Sequence, residues 1–148
     1  MLELPALTGA RVLGGDAGLG RVVARVNVME VPDILPWVKP DELLLTTGYP
    51  LRADPARLAG LVGALERRGL AALAVKLHRY LDELPADAVA AADRCGLPLL
   101  LLPDGVAFDD VLNQVLTVVI NRRADTLARA EQVLQDLVGV VIAGGDLD

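Results

Sequence analysis

Short apolar runs alternate with amphipathic segments through the first two thirds of the chain. Three runs, at residues 42–46, 70–76 and 97–102, are apolar almost throughout and show no alternation of polar and apolar positions. Strands read this way when helices cover both faces of their sheet. A strand–helix–strand–helix–strand order with short links is typical of right-handed crossovers. The pattern therefore predicts an α/β fold, in which helices flank a largely parallel or mixed central sheet.

The two intervening segments carry signals for the start and end of a helix. Asp54 is predicted to be the N-cap of the first helix, with Pro55 at its first helical position. Gly69 is expected to end that helix in the left-handed conformation that glycine adopts easily. Pro85 is expected to open the second helix and Gly96 to stop it.

The amino-terminal region predicts two further strands. A β-branched run extends from Val22 to Glu30, and it follows a turn-rich segment at residues 14–18. Together with Arg11–Leu13 before the turn, this arrangement predicts a hairpin-like opening to the fold.

A long helix is predicted from Asp109 to about Val141. Its apolar residues fall into two rows with a repeat of seven: Ile120, Leu127, Leu134 and Val141, with Leu116, Ala130 and Leu137 between them. Arg123 interrupts the second row. A sustained heptad seam needs a partner, because a lone helix cannot bury it.

We predict different partners for the two ends of this helix. Val111–Ile120 should pack back on the sheet of its own domain, whereas the part beyond Arg122 and Arg123 should self-associate. The alternative is that the whole stripe packs on the domain. The division predicted from this pattern is an α/β domain at residues 1–121 and a helical linker or dimerisation segment at residues 122–148. The predicted homodimer contacts are Leu116, Ile120, Leu127, Leu134 and Leu137.

Composition and charge exclude several classes of function. The formal net charge of −6 repels phosphate backbones, so we expect no nucleic acid to bind this segment. One histidine and one cysteine form no zinc site, and the chain contains no serine to act as a nucleophile. We expect no metal, no cofactor and no catalytic residue. With neither a signal peptide nor an apolar stretch of about 20 residues, a cytoplasmic location without membrane contact is expected.

The candidate binding site follows from the predicted sheet. In open parallel sheets, ligands bind beyond the carboxyl ends of the strands. The residues predicted there are Thr46, Thr47, Gly48, Tyr49, Lys76, His78 and Asp104. Hydroxyls, cationic donors and one carboxylate would suit a small polar metabolite with carbonyl or carboxylate groups. The alternative is ordinary loop chemistry, in which these residues form turns or are solvated.

Several segments resemble the amino-terminal domain of PucR-type (purine catabolism regulator) bacterial transcription regulators. They are Val28–Asp33, Asp41–Gly48, Ala92-Asp93 with Gly96–Leu99, and Leu102-Pro103 followed by Phe108 and Val111. The resemblance covers roughly residues 1–120. It implies a regulatory domain in control of purine or amino-acid catabolism, followed in the family by a variable middle region and a DNA-binding helix-turn-helix. The chain would then be truncated before both regions.

Three functions remain open at this point. The first is a sensory domain that binds a metabolite and signals through the long helix. The second is a dimerisation module without a ligand. The third is a small-metabolite enzyme, for which only Asp104, Lys76 and His78 could supply an acid and a base.

Overall fold

The computed structural model describes Leu7, residues 9–31 and residues 33–147, with side chains as far as Leu137. The chain divides into two compact units, Met1–Leu116 and Thr117–Asp148. The predicted division after residue 121 stays a prediction about which parts fold and function separately. In the part of the chain described, no helix is long and apolar enough to cross a membrane.

In the described residues, five strands form one sheet and three α-helices accompany it. The strands are β1 (Arg11–Gly14), β2 (Arg25–Val28), β3 (Glu42–Thr46), β4 (Ala72–Val75) and β5 (Leu99–Leu101). The helices are α1 (Arg57–Arg67), α2 (Ala86–Cys95) and α3 (Phe108–Leu147). The spatial order is β1-β5-β4-β3-β2, with β2 to β5 parallel and β1 antiparallel to β5. The predicted α/β class, with a mixed sheet and a long final helix, is confirmed.

The predicted hairpin between the first two strands is wrong. Strand β1 pairs with β5 and β2 pairs with β3, so the two strands lie at opposite edges of the sheet. The chain does not turn back after β1 because Gly15 docks on the α2–β5 connection. The Gly15 N–H donates to Asp93 Oδ1 at 2.8 Å. A Cβ at Gly15 would collide with the Leu97 carbonyl, so this approach requires glycine.

The start of α1 also differs from the prediction. The helix begins at Arg57 with Ala56 as its N-cap, and no side chain caps it. The Asp54 carbonyl, rather than its carboxylate, accepts a hydrogen bond from the Arg57 N–H at 3.2 Å. Residues 54–56 thus form a backbone turn ahead of the helix, and Pro55 lies in that turn.

The predicted end of α1 and both predicted ends of α2 are confirmed, whereas α3, predicted from Asp109 to about Val141, extends from Phe108 to Leu147. Gly69 has φ +83° after α1, and its N–H donates to the Glu66 carbonyl at 2.9 Å. The next N–H, of Leu70, donates to Leu65 at 3.2 Å, which completes a Schellman motif. Helix α2 starts directly after Pro85 and ends at Gly96.

The core of the first unit lies between the sheet and its helices. Every residue of β3 and β4 is buried. The main apolar cluster joins side chains of the sheet to those of α1 and α2: Leu44, Leu73, Leu99, Leu58, Val62, Leu65, Ala88 and Ala92. In the first turns of α3, Val111 and Val115 are buried, whereas Leu116 and Ile120 are 49% and 63% exposed. The predicted packing of residues 111–120 on the domain therefore involves only part of that stretch.

Candidate functional site

The carboxyl ends of four parallel strands meet at one edge of the sheet. The register aligns Val28 with Leu45, Thr46 with Val75, and Val75 with Leu101. The loops that follow β2, β3, β4 and β5 therefore emerge side by side. This is the edge at which ligands bind in open α/β sheets.

An open pocket of about 580 Å³ lies at this edge. It is lined by Thr47, Lys76, Leu77, His78, Arg79, Asp104, Ala107 and Phe108. These residues come from the loops after β3, β4 and β5 and from the first residue of α3. The pocket thus brings together four of the seven residues that the sequence predicted, namely Thr47, Lys76, His78 and Asp104.

The other predicted hydroxyl, that of Thr46, is used inside the protein. Thr46 is 1% exposed, and its Oγ1 donates to the Met29 carbonyl at 2.9 Å. The same oxygen accepts from the Gly48 N–H at 2.9 Å. The first bond ties the end of β3 to the residue after β2, and the second closes the turn after β3. Thr46 does not line the pocket.

Gly48 and Tyr49 also contact protein rather than the pocket. Gly48 has φ +83°, and a Cβ there would lie 2.5 Å from Leu81 Cδ1, so a leucine covers the glycine. The Tyr49 ring meets the Tyr80 ring edge-on, with 4.9 Å between centroids. Tyr49 also contacts Arg52, whose guanidinium lies 3.6 Å from the centroid of the Tyr49 ring. Neither predicted residue lines the pocket.

Lys76 connects the pocket to the segment that precedes α3. Its Nζ donates to the Val106 carbonyl at 2.7 Å, and the residue is half-buried. An ammonium group has three donors, so this bond leaves two for other acceptors. The Lys76 side chain can therefore hold residues 103–107 in place and still face a bound molecule.

Glu30 is a residue of this edge that the sequence analysis did not select. The Thr47 hydroxyl lies 3.0 and 3.2 Å from its two carboxylate oxygens, and the Thr47 N–H donates to Oε1 at 3.2 Å. Glu30 lies two residues after the end of β2, and this position just beyond a strand was the signal that could have identified it. The hairpin interpretation left β2 out of the parallel set, and so the carboxyl end of this strand was overlooked.

His78 and Arg79 occupy the exposed rim of the pocket. His78 has φ +77°, a left-handed conformation, and its N–H donates to the Leu81 carbonyl at 2.7 Å. Arg79 Nε donates to Tyr80 Oη at 3.5 Å, and this hydrogen bond raises the pKa of Arg79 above its ordinary value. His78 and Asp104 also line a neighbouring hollow of about 200 Å³.

The chemistry of the pocket is that of polar recognition. Two basic side chains, Lys76 and Arg79, and one carboxylate, Asp104, surround an apolar part formed by Leu77, Ala107 and Phe108. Among the described residues, no three His, Cys, Asp or Glu side chains are grouped so as to hold a metal ion. Such a lining can orient a small polar molecule by hydrogen bonds while Phe108 contacts an apolar part of it.

Comparison with known proteins gives a consistent match. Residues 1–119 match the PucR family, described as the purine catabolism regulatory protein-like family. The chain is 31% identical over 147 residues to the purine catabolism regulatory protein of Bacillus subtilis (strain 168). It is also 31% identical over 100 residues to the transcriptional activator PmfR of Paenarthrobacter nicotinovorans.

The matches differ in how much of each protein they cover. The alignments include 99% and 68% of this chain, but only 28% and 21% of the lengths of those two relatives. No solved structure matches the chain. Both relatives bear the names of regulators rather than of enzymes.

Proposed function

The chain belongs to the PucR family, and on that premise we propose that it is the ligand-sensing domain of a transcription regulator of purine or amino-acid catabolism. Residues 1–121 would bind a small polar metabolite in the pocket at the sheet edge. Residues 122–148 would form a helical segment that dimerises and carries the signal. DNA would be bound by a further region of the protein, as the acidic charge of this segment makes it unsuited to that role.

One observation carries the proposal for ligand sensing: the pocket wall includes the start of α3. Phe108, the first residue of that helix, and Ala107 before it both line the pocket. Lys76 in the same wall bonds the Val106 carbonyl. A molecule in the pocket would therefore touch both the sheet edge and the beginning of the helix.

The proposed dimer rests on the distal part of α3. Ile120, Leu127, Leu134 and Leu137 are between 58% and 64% exposed. Ala130, Val133, Leu134 and Leu137 border a surface hollow together with Arg129. Their spacing of i, i+3, i+4 and i+7 is that of a hole that accepts a side chain from a second helix in a coiled coil. A second copy of the chain supplies such side chains at the same heptad positions, so we assign the seam to a homodimer.

The signal would be a shift between two arrangements of the helix. A ligand changes such an equilibrium only if it binds one arrangement more tightly than the other. A ligand that contacts Phe108 and Lys76 could bind one arrangement of the helix more tightly than the other, because Lys76 is bonded to the Val106 carbonyl ahead of that helix. The proposal therefore requires that ligand binding and the position of the helix start depend on each other.

Two alternative functions predict different behaviour. A dimerisation module would self-associate without specific small-molecule binding. An enzyme would need an acid and a base held together, but Lys76 is bonded to a backbone carbonyl, and His78 and Asp104 lie exposed at the rim. The regulatory proposal accordingly includes no catalytic residue.

The test is thermal unfolding with a panel of purine-pathway compounds and amino acids. A ligand at one hundred times its dissociation constant should stabilise the native state by about 2.7 kcal/mol. Lys76→Met should abolish the shift, whereas Lys39→Met, which replaces an exposed lysine outside the pocket, should retain it. A folded dimer that responds to no compound would contradict ligand sensing and favour the dimerisation module.

A further inference from the structure

Arg79 contacts Tyr80 at the pocket rim, and Tyr80 belongs to a chain of ring contacts. Its guanidinium lies 5.7 Å from the Tyr80 ring centroid, and its Nε bonds the Tyr80 hydroxyl. Tyr80 contacts Tyr49, and Tyr49 is covered by Arg52. Exposed arginines lose considerable side-chain entropy when they bind a ligand. Stacking on Tyr80 restricts Arg79 in advance, so binding through this guanidinium costs less entropy.

Lys76 adds a second basic group to the same pocket. Its bond to the Val106 carbonyl leaves two ammonium donors unassigned. The chain as a whole is acidic, with a formal net charge of −6. Two basic side chains in one pocket of an acidic domain favour an anionic group in the ligand, because each can form a charge-assisted hydrogen bond with it.

The other residues that line the pocket limit which further chemical groups the ligand can carry. Asp104 offers only acceptor oxygens when ionised, so it pairs with an N–H donor and repels a second negative group. Phe108 and Leu77 provide apolar contact for a flat or aliphatic part. The Asp104 carboxylate would repel a dianion such as a phosphate ester, and Lys76 and Arg79 would repel a cation.

We infer that the pocket takes a small monocarboxylate that also bears an N–H donor, and that Arg79 is the residue that selects the carboxylate. The inference rests on the proposed sensing function and narrows its ligand class. Lys76 and Arg79 bind the carboxylate, Asp104 accepts from the N–H group, and Phe108 contacts the body of the molecule. A neutral amide of the same shape leaves both cations without an anionic partner.

The experiment uses matched pairs of acid and neutral probes with the full chain. The pairs are orotate with orotamide, 4-aminobenzoate with 4-aminobenzamide, and pyroglutamate with its amide. Titration is followed by nuclear magnetic resonance of the ¹⁵N-labelled protein. At least one acid should give saturable shifts at residues 76–79 and 104–108, with at least tenfold tighter binding than its neutral partner. Arg79→Gln should weaken that acid about tenfold or more and leave the neutral probe unchanged.

Arg67→Gln provides the matched control, because Arg67 is an exposed arginine on α1 that does not line the pocket. It should bind each probe as the parent chain does. Equal binding of acids and neutral probes, no saturable acid binding, or unchanged acid binding by Arg79→Gln would each overturn the inference. If a neutral compound stabilises the domain and Lys76→Met removes that effect, sensing stands and the carboxylate class is wrong. If no compound of any charge binds, the proposed sensing function fails as well.

Discussion

The sheet of the first unit and the distal part of α3 use apolar residues in opposite ways. In β3 and β4 every side chain is buried, and Leu43, Leu44, Leu45 and Leu73 are 0% exposed. In α3 all residues from 121 to 137 are exposed, and these include leucines at positions 127, 134 and 137. The first region completes its core within the chain. The second presents a regular stripe whose burial requires another surface.

Free energy explains why this difference matters. Burial of a leucine side chain contributes about 1.5–3 kcal/mol relative to full exposure. That contribution is already part of the stability of the first unit, whereas in the distal helix it becomes available on association. Substitutions in the sheet should therefore change unfolding, and substitutions in the stripe should change self-association.

The largest effect is expected from charges placed in the stripe. Leu127→Asp with Leu134→Asp should abolish the proposed dimerisation, because four unpaired carboxylates would face one another in the proposed dimer seam. The first unit should remain folded. Sedimentation equilibrium gives the mass, and circular dichroism confirms the fold.

The matched control shifts both substitutions by one residue. Ala128→Asp with Gln135→Asp adds the same charge at exposed positions outside the heptad rows. This variant should remain a dimer. Loss of fold in the first variant, or a dimer that survives both changes, would contradict the assignment of the seam.

A cavity in the sheet should have the next largest effect. Leu73→Ala should lower the free energy of unfolding by about 2–5 kcal/mol, because Leu73 is fully buried in the main cluster. Val22→Ala, at a residue that is 60% exposed, should change it by less than about 0.5 kcal/mol. Urea unfolding measures both. Similar losses of unfolding free energy in the two variants would contradict the conclusion that the first unit completes its core within the chain.

The same substitution at two threonines sharpens the comparison further. Thr46→Val should cost about 1–3 kcal/mol, since it leaves the buried Met29 carbonyl and Gly48 N–H without their hydrogen-bond partner. Thr126→Val removes an exposed bond to the Arg122 carbonyl at 2.9 Å and should cost less than about 0.5 kcal/mol. Urea unfolding at a fixed protein concentration measures both, and equal costs would contradict the difference in burial.

The smallest expected effect is a gain. Arg123 occupies a position of the heptad rows that favours an apolar residue. Arg123→Leu should tighten the proposed dimer by about 1 kcal/mol, or roughly fivefold in the dissociation constant. Arg67→Leu, at an exposed arginine of α1 away from the heptad rows, serves as the control. A weaker dimer in Arg123→Leu would indicate that the arginine pairs with an acidic group of its partner.

The elements with strong local signals were predicted well. Residues 42–46, 70–76 and 97–102 contain β3, β4 and β5, and the glycines at 69 and 96 end the helices as expected. The residues that specify each of these elements lie close together in sequence, so the elements can be predicted without knowledge of contacts to distant segments. The Asp54 cap failed because a backbone turn at residues 54–56 replaced the expected side-chain bond.

The hairpin prediction was wrong because strand pairing depends on residues far apart in sequence. This error left Glu30 out of the predicted site. Whether Arg11–Leu13 pairs with β2 or with β5 depends on contacts between residues far apart in sequence, such as Gly15 with Asp93. Turn residues after β1 favour a hairpin locally, but docking on the α2–β5 connection prevails. With β2 placed parallel to β3, Glu30 lies beside Thr47.

The amino-acid sequence by itself determined the alternation of strands and helices, the heptad rows of α3, the acidic charge and the resemblance to the PucR family. These properties depend on residue type and spacing along a continuous segment. The tertiary structure decided that the Thr46 hydroxyl is used internally, that Leu81 covers Gly48, and that Arg79 and Phe108 border the pocket. The physical reason is that contacts between segments far apart in sequence determine hydrogen-bond partners and neighbouring side chains. The spacing of residues within one segment does not specify those contacts.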